Sequence, residues 1–219
     1  MTLLYLLRHG AIDWADPECF IGQTTDPPLS PEGRQQAHAW RNLFKNVDFT
    51  AVWSSDLKRA TETAGIIFED RTEEVRTCRE LREIHLGEWD GLPRSRIRDG
   101  HPELWYARGK DLAGFRPPKG ECFRDLRERV VPQVELMTAA GTSGIVCAVS
   151  HAGVIRVLLC HLLQVPLSNI FRFRLDYGCL SIVSCRPEHI EVCALNLRPS
   201  NRDSFPGEEF GDQHDPTQI

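Results

Sequence analysis

Residues 3–14 read LLYLLRHGAIDW. The first five have the make-up of a strand buried on both faces, and the run stops on Arg8, His9 and Gly10. Alone, such a strand end is an ordinary surface turn, with the glycine bending the chain and the polar side chains in water. Its meaning depends on what the rest of the chain brings to the same place.

The sequence around it alternates. Short β-rich runs fall at 51–54 (AVWS), 74–78 (EVRTC) and 144–149 (GIVCAV), and three more at 171–175 (FRFRL), 179–185 (CLSIVSC) and 189–195 (HIEVCAL). Helical patterns lie between them. Ser30-Pro31 supplies an N-cap and a first-turn proline for a helix running to Phe44. A second starts at Ser55-Asp56 and sets Leu57, Ala60, Ala64 and Ile67 on one face. A third covers 121–140, with a kink expected at Pro132. A fourth follows His151 and buries Val154, Val157, Leu158 and Leu162. This order predicts an α/β protein built in layers around a mainly parallel sheet. The short turns between the closing runs add at least one antiparallel pair. The domain is expected over residues 1–198. Residues 199–219, rich in proline, glycine and acids without apolar periodicity, read as a mobile tail.

Composition narrows the function. Of 219 residues 41% are apolar, enough for a core that needs no disulfide or metal staple. A net charge of −5 argues against nucleic-acid binding, which needs a cationic face. The eight cysteines are scattered, form no C-x-x-C pair and sit in part within apolar runs, so reduced thiols and a cytoplasmic protein are expected. No apolar run approaches the roughly 18 residues of a membrane span, and the run before Arg8 is too short for a signal peptide. No ligand spacing links the histidines or cysteines, and neither a metal nor another cofactor is expected.

Placed on this scaffold, the unusual residues converge. Arg8 and His9 follow the first strand, Arg59 lies in the first turn of the helix after the second, and His151 stands where the helix after 144–149 begins. In an open α/β sheet, junctions of this kind share the edge where ligands bind. Helix starts add free N–H groups suited to an anion, and arginine forks match phosphate oxygens. Glu80, Glu83 and Glu88, after the third strand, lie near the same edge. A site passing phosphate to a histidine needs one acid for the leaving oxygen; spacing does not say which of the three it is.

RHG, GQTTDPPLSPEGRQQA at 22–37, SSDLKRATETA at 54–64, LREIHLGEWDG at 81–91, PPKGE at 117–121 and SHAGVIR at 150–156 together resemble, in order, the histidine phosphatase superfamily. The resemblance implies a three-layer sandwich, phosphoglycerate mutase-like, with a mostly parallel six-stranded sheet, one antiparallel strand and helices on both faces. It implies a small phosphate ester as substrate, His9 as nucleophile and Glu83 as general acid. Arg8, Arg59 and His151 would bind the phosphoryl group, with Gly22, Gln23 and Ala152 bordering the pocket. Where the family often has acidic and hydroxyl residues after RHG and an asparagine after the tryptophan, this chain has Ala11, Ile12 and Ala15.

Within the superfamily, PLSNIFRFRLDYGCLSIVSC at 166–185 resembles the ending of the α-ribazole phosphatases of cobalamin synthesis. The mutase pattern Glu-Arg-His-Tyr is replaced by Glu83-Ile84-His85-Leu86, and Trp105 is followed by Tyr106-Ala107 instead of paired arginines. A mutase or a broad-specificity sugar phosphatase is the alternative enzyme, and a phosphate-binding protein without turnover the alternative of another class. The intact set of Arg8, His9, Arg59, Glu83 and His151 argues against the last.

Overall fold

The computed structural model describes residues 1–139, 143–186 and 189–199. Leu3–Leu7 are all nearly inaccessible to solvent, and their alternation divides the core. Leu3, Tyr5 and Leu7 face one side with Ala37, Trp40, Ala60, Ala64 and Ile67. Leu4 and Leu6 face the other with Leu126, Val130, Val154 and Leu158. A strand covered on both sides has to be apolar throughout, which explains the unbroken LLYLL.

That strand, β1 (Thr2–Arg8), sits inside a six-stranded sheet with β2 (Phe49–Ser54), β3 (Val75–Thr77), β4 (Gly144–Ser150), β5 (Leu180–Arg186) and β6 (His189–Leu197), in the order β3-β2-β4-β1-β5-β6. β1 is parallel to β4, and β2 to both β3 and β4. β5 runs antiparallel to β1 and to β6. It is therefore the one reversed strand of a mostly parallel sheet. Helices α1 (Pro31–Leu43) and α2 (Lys58–Phe68) cover one face, and α5 (Phe123–Met137) and α6 (Ala152–Leu162) the other. Two short helices, α3 (Arg94–Gly100) and α4 (Pro102–Lys110), are inserted before α5.

Local chemistry accounts for the boundaries. Ser30 Oγ accepts from Gly33 N at 3.1 Å and Pro31 opens α1. α2 begins at Lys58, just after Ser55-Asp56, with Lys58 N donating to Asp26 Oδ2 at 2.7 Å and Asp56 paired with Arg82. α5 passes through Pro132 and is shorter at both ends than its apolar pattern. One expected strand is absent. The run 171–175 closes a 3₁₀ turn, Leu167–Arg172, and pairs with no strand among the described residues. The proposed tail beyond Pro199 lies outside the described residues. Among the described residues no helix is long and apolar enough to cross a membrane. The eight thiols are all free.

Candidate active site

His9 stands one residue past β1, and both its backbone groups remain in the sheet. Its N–H donates to Ser150 O, and its carbonyl accepts from Gly178 N, each at 2.9 Å. The residue is thus fixed between the ends of the two neighbouring strands, which positions a side chain far better than a loop would. Gly10 N donates to Thr63 Oγ1 of α2 at 3.1 Å, turning the chain away from the sheet. Gly10 and Gly33 allow this turn to press against α1. A Cβ on Gly10 would lie 2.5 Å from Gly33 O, and one on Gly33 would lie 2.0 Å from Ala11 O.

The His9 ring is 4% exposed and its Nδ1 faces Gly10 O at 2.8 Å. A carbonyl only accepts, so Nδ1 carries a proton and Nε2 is the remaining nitrogen. Burial, then the charges of Arg59 and Arg8, hold its pKa well below 6.5. At neutral pH the ring is uncharged and Nε2 has a lone pair. The His151 ring lies 5.1 Å from it, centroid to centroid. His151 Nε2 meets Ser55 Oγ at 2.8 Å. Among the described residues that hydroxyl, which also accepts from Leu57 N, has no other acceptor for its proton, so it donates to Nε2 and leaves the imidazole proton on Nδ1.

Two arginines close around the pair. Arg59 is 1% exposed; it donates to Gly22 O at 2.7 Å and pairs with Asp26 Oδ1 at 3.0 Å. Arg8 donates to Leu175 O at 2.8 Å, lies 3.8 Å from the Tyr177 ring centroid and has no carboxylate partner among the described residues. Among the described residues Arg8 Nε, Arg59 Nε and His151 Nδ1 are buried without a hydrogen-bond partner. Buried donors are rarely left so, because each loses its hydration. Three in one cluster, two on cations, have the chemistry to suit an anion rich in acceptors.

Of the three acids after β3, the structure brings one to this cluster. Glu83 lines the same cavity as Arg8, His9 and Arg59. Its Oε1 accepts from Ile84 N at 2.9 Å and its Oε2 from Gly153 N, in the first turn of α6, at 3.1 Å. Glu80 instead contacts Cys78, and Glu88 is an exposed partner of Lys119. The Arg129 guanidinium gathers the carbonyls of Glu80, Arg82 and Glu83 while pairing with Glu121, and Gln23 Nε2 donates to Glu83 O at 2.9 Å. Ala152 is on the cavity wall. Gly22 and Gln23 stand behind it, holding Arg59 and the main chain of Glu83.

The cavity encloses about 580 Å³ and extends from His9 past Ile84 and Trp89 to Phe20, Trp105, Arg108 and Phe171. Sequence reasoning missed this outer part and Tyr177, because its residues come from α4, a 3₁₀ turn and loops with no shared pattern. Arg156 alone carried a signal, standing one turn into α6 within SHAGVIR. Among the described residues no group of three or more His, Cys, Asp or Glu side chains is placed to hold a metal ion.

Comparison with known proteins gives the family of the chain. The sequence model of the histidine phosphatase superfamily (branch 1) matches residues 4–198. An adenosylcobalamin/alpha-ribazole phosphatase of Escherichia coli is 28% identical over 89% of this chain and 96% of its own length. A glucosyl-3-phosphoglycerate phosphatase of Mycolicibacterium vanbaalenii is 34% identical over 76% of each chain. The crystal structure of a putative alpha-ribazole-5'-P phosphatase from Escherichia coli superimposes with a TM-score of 0.82 at 28% identity, covering 90% of this chain and 96% of that one.

Proposed function

The chain belongs to the histidine phosphatase superfamily, and from that premise we propose that it hydrolyses a small-molecule phosphate monoester through a phosphohistidine formed on His9. One observation carries the reading. A neutral imidazole, its Nδ1 tied to Gly10 O, lies among three buried donors without partners among the described residues.

His9 Nε2 attacks phosphorus and the bond to the ester oxygen breaks. Glu83, protonated for this step, gives its proton to the departing alkoxide. The Glu83 carboxylate then takes a proton from water, whose oxygen attacks the phosphohistidine and returns His9 to its neutral form. Arg8, Arg59 and His151 Nδ1 stabilise charge on the transferring group. Removing one such donor typically costs about 10²–10³ in rate.

For the leaving group we propose α-ribazole. The similarity to the Escherichia coli phosphatase and the resemblance of residues 166–185 support this choice. A panel of α-ribazole 5'-phosphate, glucosyl-3-phosphoglycerate and 3-phosphoglycerate tests it. The ribazole ester is expected to give a kcat/KM at least about tenfold above the others. A preference for glucosyl-3-phosphoglycerate, or efficient mutase activity on 3-phosphoglycerate, would overturn the substrate assignment.

A further inference from the structure

A phosphoryl group displaces only a few water volumes of about 30 Å³ each, so most of the 580 Å³ cavity is left for the rest of the substrate. That space is lined by rings. The Trp89 and Phe115 rings lie 5.2 Å apart, tilted by 34°, on the inner wall, and Phe20 and Trp105 follow, 6.4 Å apart. Phe171 stands at the mouth and is 52% exposed, an unusual position for a large apolar side chain that lines a cavity.

Arg108 sits among these rings. Its guanidinium carbon is 5.5 Å from the Trp105 centroid and 5.8 Å from those of Phe20 and Phe171. Among the described residues it makes neither a hydrogen bond nor an ion pair. Its guanidinium sits over these rings, and the neighbouring charge, Arg94, is of the same sign. Arg156 lies 5.4 Å from the Phe171 centroid and is close enough to Arg8 for the two charges to interact. The ring-lined mouth is therefore continuous with the phosphoryl end.

We propose that Phe20, Trp105, Arg108 and Phe171 form a stacking subsite for a flat heteroaromatic ring carried by the leaving group. The substrate class becomes the 5'-phosphates of base-bearing pentoses. This deepens the phosphatase reading of His9 and rests on it. A planar ring offers an electron-rich face to the guanidinium and apolar surface to the three side chains. Base-on-aromatic stacking of this kind changes binding by roughly 5- to 150-fold per base. A sugar phosphate without a base leaves these faces in water.

Two measurements test it. The first is the ratio of kcat/KM for α-ribazole 5'-phosphate to that for ribose 5-phosphate, expected to be at least about tenfold in the unmodified protein. It should fall toward one in Trp105→Leu and Phe171→Leu, through KM more than kcat. The second is binding of the free nucleoside α-ribazole, without its phosphate, followed by tryptophan fluorescence. It needs no turnover, so it reads the subsite even if the reaction at His9 is wrongly assigned. Saturable binding that weakens at least about fivefold in both variants supports the subsite. No nucleoside binding, a ratio near one in the unmodified protein, or a ratio unmoved by both substitutions would overturn it.

Discussion

Gly153→Ala separates the stability of the fold from the placement of Glu83. A Cβ on Gly153 would lie 2.2 Å from Glu83 Oε1 and 3.1 Å from its Cδ, and the three nearest atoms to it all belong to Glu83. The added methyl therefore meets the movable end of one side chain, and the carboxylate must swing by about 1 Å or more to restore contact distance. Stability changes little. Alanine is better than glycine inside a helix by about 0.5–1 kcal/mol, while weakening the carboxylate's bonds to Ile84 N and Gly153 N costs about 1–3 kcal/mol. Activity responds differently, because a 1 Å misplacement of a reacting group costs on the order of 100-fold, or about 2.7 kcal/mol of barrier. The assay compares two esters. Turnover of α-ribazole 5'-phosphate should fall about 100-fold. First-turnover release of p-nitrophenolate, which hardly needs a proton, should fall far less. The melting temperature should shift by only a few degrees. Equal losses on the two esters, or full activity with both, would refute the placement of Glu83 as the acid.

Two further outcomes follow from the packing around His9. The pKa values of His9 and His151 are both lowered well below 6.5, first by burial and then by the charge of Arg59. On acidification the unfolded chain takes up these protons first, so stability is full above pH 6.5 and declines below it. The loss is up to about 1.4 kcal/mol per histidine per pH unit until the folded-state values are reached. Urea titrations at pH 7.5 and 5.5 measure it, and His151→Asn should flatten the difference; a slope unchanged by that substitution contradicts it. Gly33→Ala sets a methyl 2.0 Å from Ala11 O, a backbone atom that cannot swing away. It should lower stability by about 1–3 kcal/mol and reduce activity by shifting the turn after His9, as thermal melts and kinetics will show.

Much of this was legible in the sequence because it lies at regular places. The LLYLL run, the Ser30-Pro31 start of α1 and the spacing of Ala60, Ala64 and Ile67 report burial with fixed periods, and the scaffold then carries Arg8, Arg59 and His151 to one edge. Glu83 was different. Three acids follow β3 at similar distances, and only the fold of their connecting chain, gathered by Arg129, turns Glu83 toward the cavity. The FRFRL run misled for a physical reason. Its alternation matches a strand, but Phe171 and Phe173 interleave with arginines along the mouth, where Arg156 donates to Phe173 O and packs over Phe171. Alternation recorded two environments; neither of them was a sheet. The outer chamber comes from separated segments with no common period, so no local pattern could announce it.

The central claim is a covalent bond between phosphorus and His9 Nε2. Rapid acid-free quench during turnover, followed by peptide mapping, tests it most directly. The account predicts a base-stable, acid-labile phosphoryl group on the peptide containing His9, formed and lost at rates consistent with kcat and absent in His9→Ala, which should be inactive. Phosphate found on another residue, or substantial turnover by His9→Ala, would contradict the account.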